Sequence, residues 1–237
     1  MATFNQNPSI RLLSEMKEVV YDKDWLEKAD PNLELYYVWR GVAETDKEKR
    51  KITKAGLRYD ITEFAPLTLG VEFNKTFGHE HSLVPGTNTA YPEIYEVLEG
   101  EVYFLFQKLT GNKIEDIYIV HCQAGDKYIV PPGYAHITIN PTKQKTVMAN
   151  WLALASKQSY DNINRLHGGG YYGIKNNTGI KWIKNQSYES VPDLKSRQPN
   201  NLGQLNINLT KQQKIYHLVN DLEKLDFLKN PQNYKWE

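Results

Sequence analysis

From Leu57 to Leu154 the chain breaks into short runs rich in Val, Ile, Tyr and Phe, each closed by a turn signal, and this rhythm constrains the fold more than any other feature. Many short strands at close spacing make an antiparallel sandwich or barrel. The clearest run is Val102 to Gln107, where Val102, Phe104 and Phe106 share one face and Tyr103, Leu105 and Gln107 the other. Glu99-Gly100 separates it from Ile94 to Leu98, so these two runs are expected to form a hairpin. Thr110-Gly111-Asn112 then turns into Ile117 to Val120, and Ala124-Gly125-Asp126 precedes Tyr128 to Val130. Pro131-Pro132-Gly133 makes a rigid bend before His136 to Asn140, and Thr146 to Leu154 closes the set.

The flanks read differently. Residues 1–54 are expected to be an arm: a short helical pattern (Leu12, Leu13, Met16, Val19, Val20), an extended run from Leu35 to Trp39, then a charged loop from Glu44 to Lys54. Residues 55–155 form the β-rich core, and 156–237 an extension packed on it. After Ser156, Gly168-Gly169-Gly170 and Asn176-Asn177-Thr178-Gly179 interrupt any periodicity. An amphipathic helix then follows, N-capped by Thr210, running through Ile215, Leu218, Val219, Leu222 and Leu225 and stopping before Pro231.

At 237 residues the chain suits one well-buried core better than two. Lys plus Arg total 29 against 28 Asp plus Glu, so nucleic acid and anionic membrane are not expected partners. The lone cysteine, Cys122, forms no intramolecular disulfide. Met1 to Arg11 has no basic-then-apolar leader pattern, and no run approaches the roughly 18 apolar residues a bilayer requires. A cytoplasmic location is the expectation.

Chemistry is concentrated in Gly78-His79-Glu80-His81, Glu93 and His136. In an extended segment residues i and i+2 share a face, so His79 and His81 aim inward together while Glu80 points away. Glu93 follows a loop containing Pro85, Gly86 and Pro92, and His136 follows the Pro-Pro-Gly bend on a later strand; facing strands of a barrel bring both toward the same interior point. Three imidazoles and one carboxylate suit one divalent ion, Fe²⁺, Mn²⁺, Zn²⁺ or Ni²⁺, and leave positions open for substrate or water; the set does not itself select among the metals, of which Fe²⁺ is the first expectation. The histidines must be neutral to ligate, so the metal is expected to be lost in mild acid. The other histidines, His121, His167 and His217, lack such a context.

These residues, with Pro92-Glu93-Ile94-Tyr95-Glu96-Val97-Leu98-Glu99-Gly100, Ala124-Gly125-Asp126 and Val130-Pro131-Pro132-Gly133-Tyr134-Ala135-His136, resemble the cupin-type glucose-6-phosphate isomerases. Leu13-Ser14-Glu15-Met16 resembles that family's leader, and the likeness covers roughly residues 10–175. It implies a mainly β cupin jelly-roll barrel with an N-terminal arm and a C-terminal extension containing a helix, a homodimer, and metal-dependent interconversion of glucose 6-phosphate and fructose 6-phosphate. By position it implies metal ligands His79, His81, Glu93 and His136; catalytic residues Glu93, His136 and Tyr95; and substrate contacts from Thr62, Thr76, Gly78, Tyr95 and Tyr160. Two positions depart from the family: Leu152 stands where a pocket tyrosine aligns, and Gln158 where a histidine aligns. Other cupin activities, an Fe²⁺ dioxygenase or a non-catalytic sugar-phosphate binder, use the same ligand set.

Overall fold

A computed structural model describes residues 7–177 and 179–236; the first six residues of the expected arm, Thr178 and Glu237 lie outside the described residues. The strands, in chain order, begin with β1 (Ser9–Leu12), β2 (Glu34–Arg40), β3 (Leu57–Phe64), β4 (Thr68–Leu69), β5 (Glu72–Phe73) and β6 (Glu80–His81). The middle of the chain supplies β7 (Glu93–Glu99), β8 (Glu101–Thr110), β9 (Lys113–Gln123), β10 (Lys127–Val130), β11 (Ala135–Ile139) and β12 (Thr146–Ala153). Beyond it lie β13 (Gln158–Ser159), β14 (Tyr171–Asn176), β15 (Gly179–Lys184) and β16 (Lys195–Arg197). The fold is mainly β, as expected, with β1-β2-β3-β12-β7-β10 in one sheet opposing β11-β8-β9-β16.

The expected hairpin of Ile94–Leu98 with Val102–Gln107 does not form. β7 pairs with β12 and β10, whereas β8 pairs with β9 and β11. Glu99-Gly100 is the corner where the chain leaves one sheet for the other, and Pro131-Pro132-Gly133 is a second such corner, between β10 and β11. A turn signal tells where a strand ends; the partner is chosen by which face its apolar residues must bury.

Alternation along β3, β7 and β12 divides the six-stranded sheet into two faces. Phe64, Tyr95, Val97 and Met148 join the barrel interior. Their neighbours Tyr59, Ile61, Ile94 and Trp151 form a second core on the outer face, covered by Leu202, Ile215, Val219, Phe227 and Leu228 from the C-terminal segment. Both faces are therefore buried, and the sheet holds its strand register tightly.

Three further expectations are corrected. The charged stretch after Glu44 is a helix, Asp46–Lys54, not a loop: the Thr45 hydroxyl accepts the Glu48 N–H, acids occupy its first turn and lysines its last. Only Ile52 of it is buried, which is why apolar spacing gave no helical signal. The Leu12–Val20 pattern gives a single 3₁₀ turn, Leu13–Glu15, after β1. The C-terminal amphipathic helix is replaced by 3₁₀ segments, Ile215–Asn220, Leu222–Leu228 and Pro231–Asn233. Ile215, Tyr216, Leu218 and Val219 are all buried, so the segment buries neighbouring side chains instead of one stripe, and Asp221 interrupts it at φ −140°.

The glycine run also has a structural reason. A Cβ on Gly169 would stand 2.5 Å from Ile137 Cδ1 and 2.9 Å from Leu105 Cδ2, so glycine lets this stretch lie against β8 and β11 without displacing those side chains. It leads into a β14–β15 hairpin that the sequence did not announce.

Candidate metal centre and cleft

His79 and His136 are cross-strand partners: each backbone N–H donates to the other's carbonyl, at 3.2 and 3.0 Å. The stretch from Asn74 to His81 thus runs beside β11, with Thr76 N–H bonding Thr138 and Asn140 N–H bonding Asn74 at 2.8 Å each. The period-two spacing then carries His81 to the same side as His79, and β7 delivers Glu93 from the opposite sheet. The ligand atoms of His79, His81, Glu93 and His136 all lie within 4.8 Å of one another.

The donor set fits a cation. Nε2 of His79 and Nε2 of His81 are 3.1 Å apart, and Glu93 Oε2 is 3.3 Å from Nε2 of both His81 and His136. Among the described residues Glu93 Oε2 is buried without a hydrogen-bond partner, an arrangement that is costly unless something positive satisfies it. The other groups are oriented from behind. His81 Nδ1 sits 2.9 Å from the Tyr91 carbonyl, which fixes Nδ1 as the donor and leaves the Nε2 lone pair for a metal. Asn150 Nδ2 donates to Glu93 Oε1, freeing Oε2 for the centre.

Burial sets the protonation states. It lowers the pKa of His79 well below the usual 6.5, reinforced by His136 and His81, and lowers that of His136 despite Glu93 beside it. Glu93 is pushed up by burial, but the His136 and His81 rings outweigh this and hold it below the usual carboxylate range. Neutral rings and an ionised carboxylate are the state a divalent ion requires. Protons compete with the ion, so affinity falls as pH falls; at His79 and His136, whose values are depressed, we expect little competition between pH 7.5 and 6.5. A decline approaching about tenfold per pH unit per competing proton should set in only below that range. Chelator competition across pH 5–8 measures it, and a steep loss already above pH 6.5 would contradict neutral rings. The same signs make the metal-free fold lose stability in acid, since the unfolded chain takes up protons that the buried histidines refuse.

His79, Glu93 and His136 of the cluster lie in the wall of a cleft of about 220 Å³, which Thr62, Thr76, Gly78, Tyr95 and Tyr160 also line. Tyr95 Oη is 3.3 Å from His136 Nε2, and burial and Glu93 keep it protonated. Thr76 Oγ1 accepts the Thr138 N–H at 2.9 Å, so its own proton is left to donate. Gly78 has φ +84°, and a Cβ there would collide with Ile137 at 2.3 Å. Tyr160 donates to Gln158 Oε1 at 2.8 Å, and Gln158 lines the cleft; Leu152 is buried but is not among the lining residues.

Among the lining residues missed from the sequence are the polar Arg11, Arg40, Asp60 and Asn150. Asp60 and Asn150 precede Thr62 and Leu152 by one strand period, so the signal existed. Arg11 donates to Tyr36 Oη at 3.1 Å and to Glu15 at 3.3 Å, which holds a cation at the cleft. Asn150→Leu should lower metal affinity or activity about 10- to 100-fold through the misdirected carboxylate; metal titration against wild type reads it.

The family model described as glucose-6-phosphate isomerase (GPI) matches residues 10–193. No curated protein matches. Among solved structures, an oxalate oxidase in complex with the substrate analogue glycolate is 18% identical, with TM-score 0.36, over 47% of this chain and 49% of that one. A vicilin from Capsicum annuum is 15% identical, with TM-score 0.36, over 52% of this chain and 29% of that one. Peruvianin-I, a cysteine peptidase from Thevetia peruviana latex, is 15% identical, with TM-score 0.34, over 67% and 70%. The chain spans less than half the length of the oxalate oxidases it matches. Among the described residues no helix is long and apolar enough to cross a membrane. With the family model spanning most of the chain, and the histidine and glutamate cluster inside the span it matches, the protein belongs to the cupin-type glucose-6-phosphate isomerase family.

Proposed function

We propose that the protein is a metal-dependent aldose–ketose isomerase interconverting glucose 6-phosphate and fructose 6-phosphate. The observation that carries this reading is the partnerless Glu93 Oε2 beside three convergent imidazoles, at a polar cleft, in a chain of this family. A divalent ion held by His79, His81, Glu93 and His136, with Fe²⁺ the first candidate, supplies a Lewis acid that stabilises negative charge developing on the sugar oxygens.

The chain's own residues do the rest. Thr62, Thr76, the Gly78 backbone and the Arg11 guanidinium bind the phosphate, hydroxyl and amide donors suiting close approach and arginine supplying charge. Glu93, ionised and tied through Oε1 to Asn150, is the base: with substrate bound, Oε2 would leave the ion, take the proton from C2 and return it to C1, while the hydroxyl proton on O2 passes to O1. Tyr95 stays protonated and donates a hydrogen bond beside His136. Buried side chains around these atoms keep bulk water from the reacting carbons.

The test is turnover of fructose 6-phosphate by chelated protein, then with Fe²⁺, Mn²⁺, Zn²⁺ or Ni²⁺ restored, with the product from deuterated water analysed. Solvent deuterium at C2 supports proton transfer by Glu93, and its absence supports a hydride shift within the same activity. No turnover with any of the ions ends the isomerase reading.

A further inference from the structure

Polar residues line up across the inner face of the six-stranded sheet. Arg40 on β2 opposes Asp60 on β3, Asp60 opposes Asn150 on β12, and Asn150 opposes Tyr95 on β7. All of them line the cleft, although this is the face that elsewhere carries Phe64, Val97 and Met148. Asp60 is the unexpected member. It is only 4% exposed, it is not part of the metal cluster, and burial pushes its carboxyl up against the opposing effect of Arg58.

Hydrogen bonds fix Asp60 without saturating it. Oδ1 accepts the Gly41 N–H at 2.8 Å and Arg58 Nε at 3.0 Å; among the described residues, Oδ2 accepts that same Arg58 Nε alone, at 2.9 Å. A carboxylate has about four lone-pair sites, and one N–H shared between two oxygens leaves Oδ2 able to accept more. A buried anion repels a phosphate and takes a hydroxyl proton instead. Its place on the sheet says which hydroxyl. Asp60 is one pleat from Thr62, and its neighbour Asn150 bonds Glu93 of the metal cluster. It therefore lies between the proposed phosphate end and the proposed reacting end of a sugar phosphate.

The geometry points to Asp60 as a specificity-determining residue, whose Oδ2, with Asn150 beside it, accepts a hydrogen bond from a hydroxyl on the middle carbons, C3 or C4, of the sugar phosphate. The assignment rests on the isomerase reading for the ligand's orientation. It also explains how the chain selects a polyhydroxylated substrate with leucine and glutamine at the two positions where the family pattern differs. A ligand missing that hydroxyl leaves the buried carboxylate without its donor, a large penalty for a small change in the ligand.

The experiment is calorimetric titration of the metal-loaded full chain, wild type and Asp60→Asn. The ligands are glucose 6-phosphate, its 3-deoxy and 4-deoxy analogues, and inorganic phosphate, and turnover is measured on the same preparations. Asp60→Asn should weaken glucose 6-phosphate about 10- to 100-fold, leave inorganic phosphate and metal stoichiometry unchanged, and lose its penalty against one of the deoxy analogues. An equal loss for all four ligands would make Asp60 a structural anchor for Arg58 and Gly41 and overturn the proposal. If Asp60→Asn does not fold, wild type decides: both deoxy analogues binding as tightly as the parent overturns it, and one binding about tenfold more weakly supports it. Turnover without deoxy discrimination sinks the subsite and spares the isomerase, whereas discrimination without turnover does the reverse.

Discussion

Glu93→Gln is expected to abolish activity while leaving the metal-free protein folded and moderately less stable than wild type. The amide has nearly the carboxylate's shape and keeps an oxygen for Asn150 Nδ2, so packing is preserved. What disappears is a buried negative charge that the His136 and His81 rings hold ionised, so the metal-free fold keeps its shape but gives up the stability that a depressed carboxyl pKa represents. With the charge go both the only anionic ligand of the cluster and the proposed base. Loss of a general base alone costs about 10²–10⁴-fold in rate, and weaker metal binding adds to it. Two readouts separate this from misfolding: thermal melts with chelator should stay a single cooperative transition at a moderately lower Tm, and the rise in Tm that added metal gives wild type should vanish. A variant that still gains full metal stabilisation would remove Glu93 from the ligand set.

Lys127→Met should destabilise the fold by about 3–5 kcal/mol, a large share of the roughly 5–15 kcal/mol typical of a domain. Lys127 is 1% exposed, on the outer face of the sheet under the C-terminal segment. Its Nζ donates to the Gly125 carbonyl at 2.7 Å and the Thr210 carbonyl at 3.1 Å, and lies 3.4 Å from Glu96 Oε1. Glu96 Oε2 in turn accepts the Ile215 N–H at 2.7 Å, and the Ile215 carbonyl accepts Trp151 Nε1 at 2.8 Å. Methionine fills the volume but strands Glu96 as a buried unpaired charge. The double variant Lys127→Met, Glu96→Gln should recover much of the loss, because the stranded charge is then gone. Urea unfolding of the metal-free chain gives the numbers, and limited proteolysis after residue 200 should accelerate in the single variant. A single variant within about 1 kcal/mol of wild type would mean that apolar packing alone holds the segment.

How much of this was legible beforehand follows from the physics of each element. His79 and His81 were readable because strand period two is a local rule, and the β-rich character of 57–154 because turn residues and branched apolar residues are local too. The Glu99-Gly100 corner was misread because turn chemistry fixes the end of a strand and not the sheet its successor joins. The helix after Thr45 was missed because its signal is a cap and a charge gradient, while only Ile52 is buried. The C-terminal turns were read as one helix because apolar spacing near 3.6 also fits a segment moulded onto a flat sheet face. Asp60 was passed over although it shares a face with Thr62, since nothing local says which face of β3 becomes a cleft.

The sequence by itself determined that this chain makes short strands, that it carries three histidines and a glutamate suited to one ion, and to which family it belongs, because these rest on side-chain chemistry and near-neighbour geometry. Only the tertiary structure decided that β7 faces β11 across the barrel, and that His79 pairs with His136. It likewise decided that the last segment seals the outer sheet face, and that Asp60 and Asn150 border the metal cluster. Those are contacts between residues far apart in the chain, and they exist only once closing the two sheets has removed more apolar surface from water than any other arrangement of the same strands.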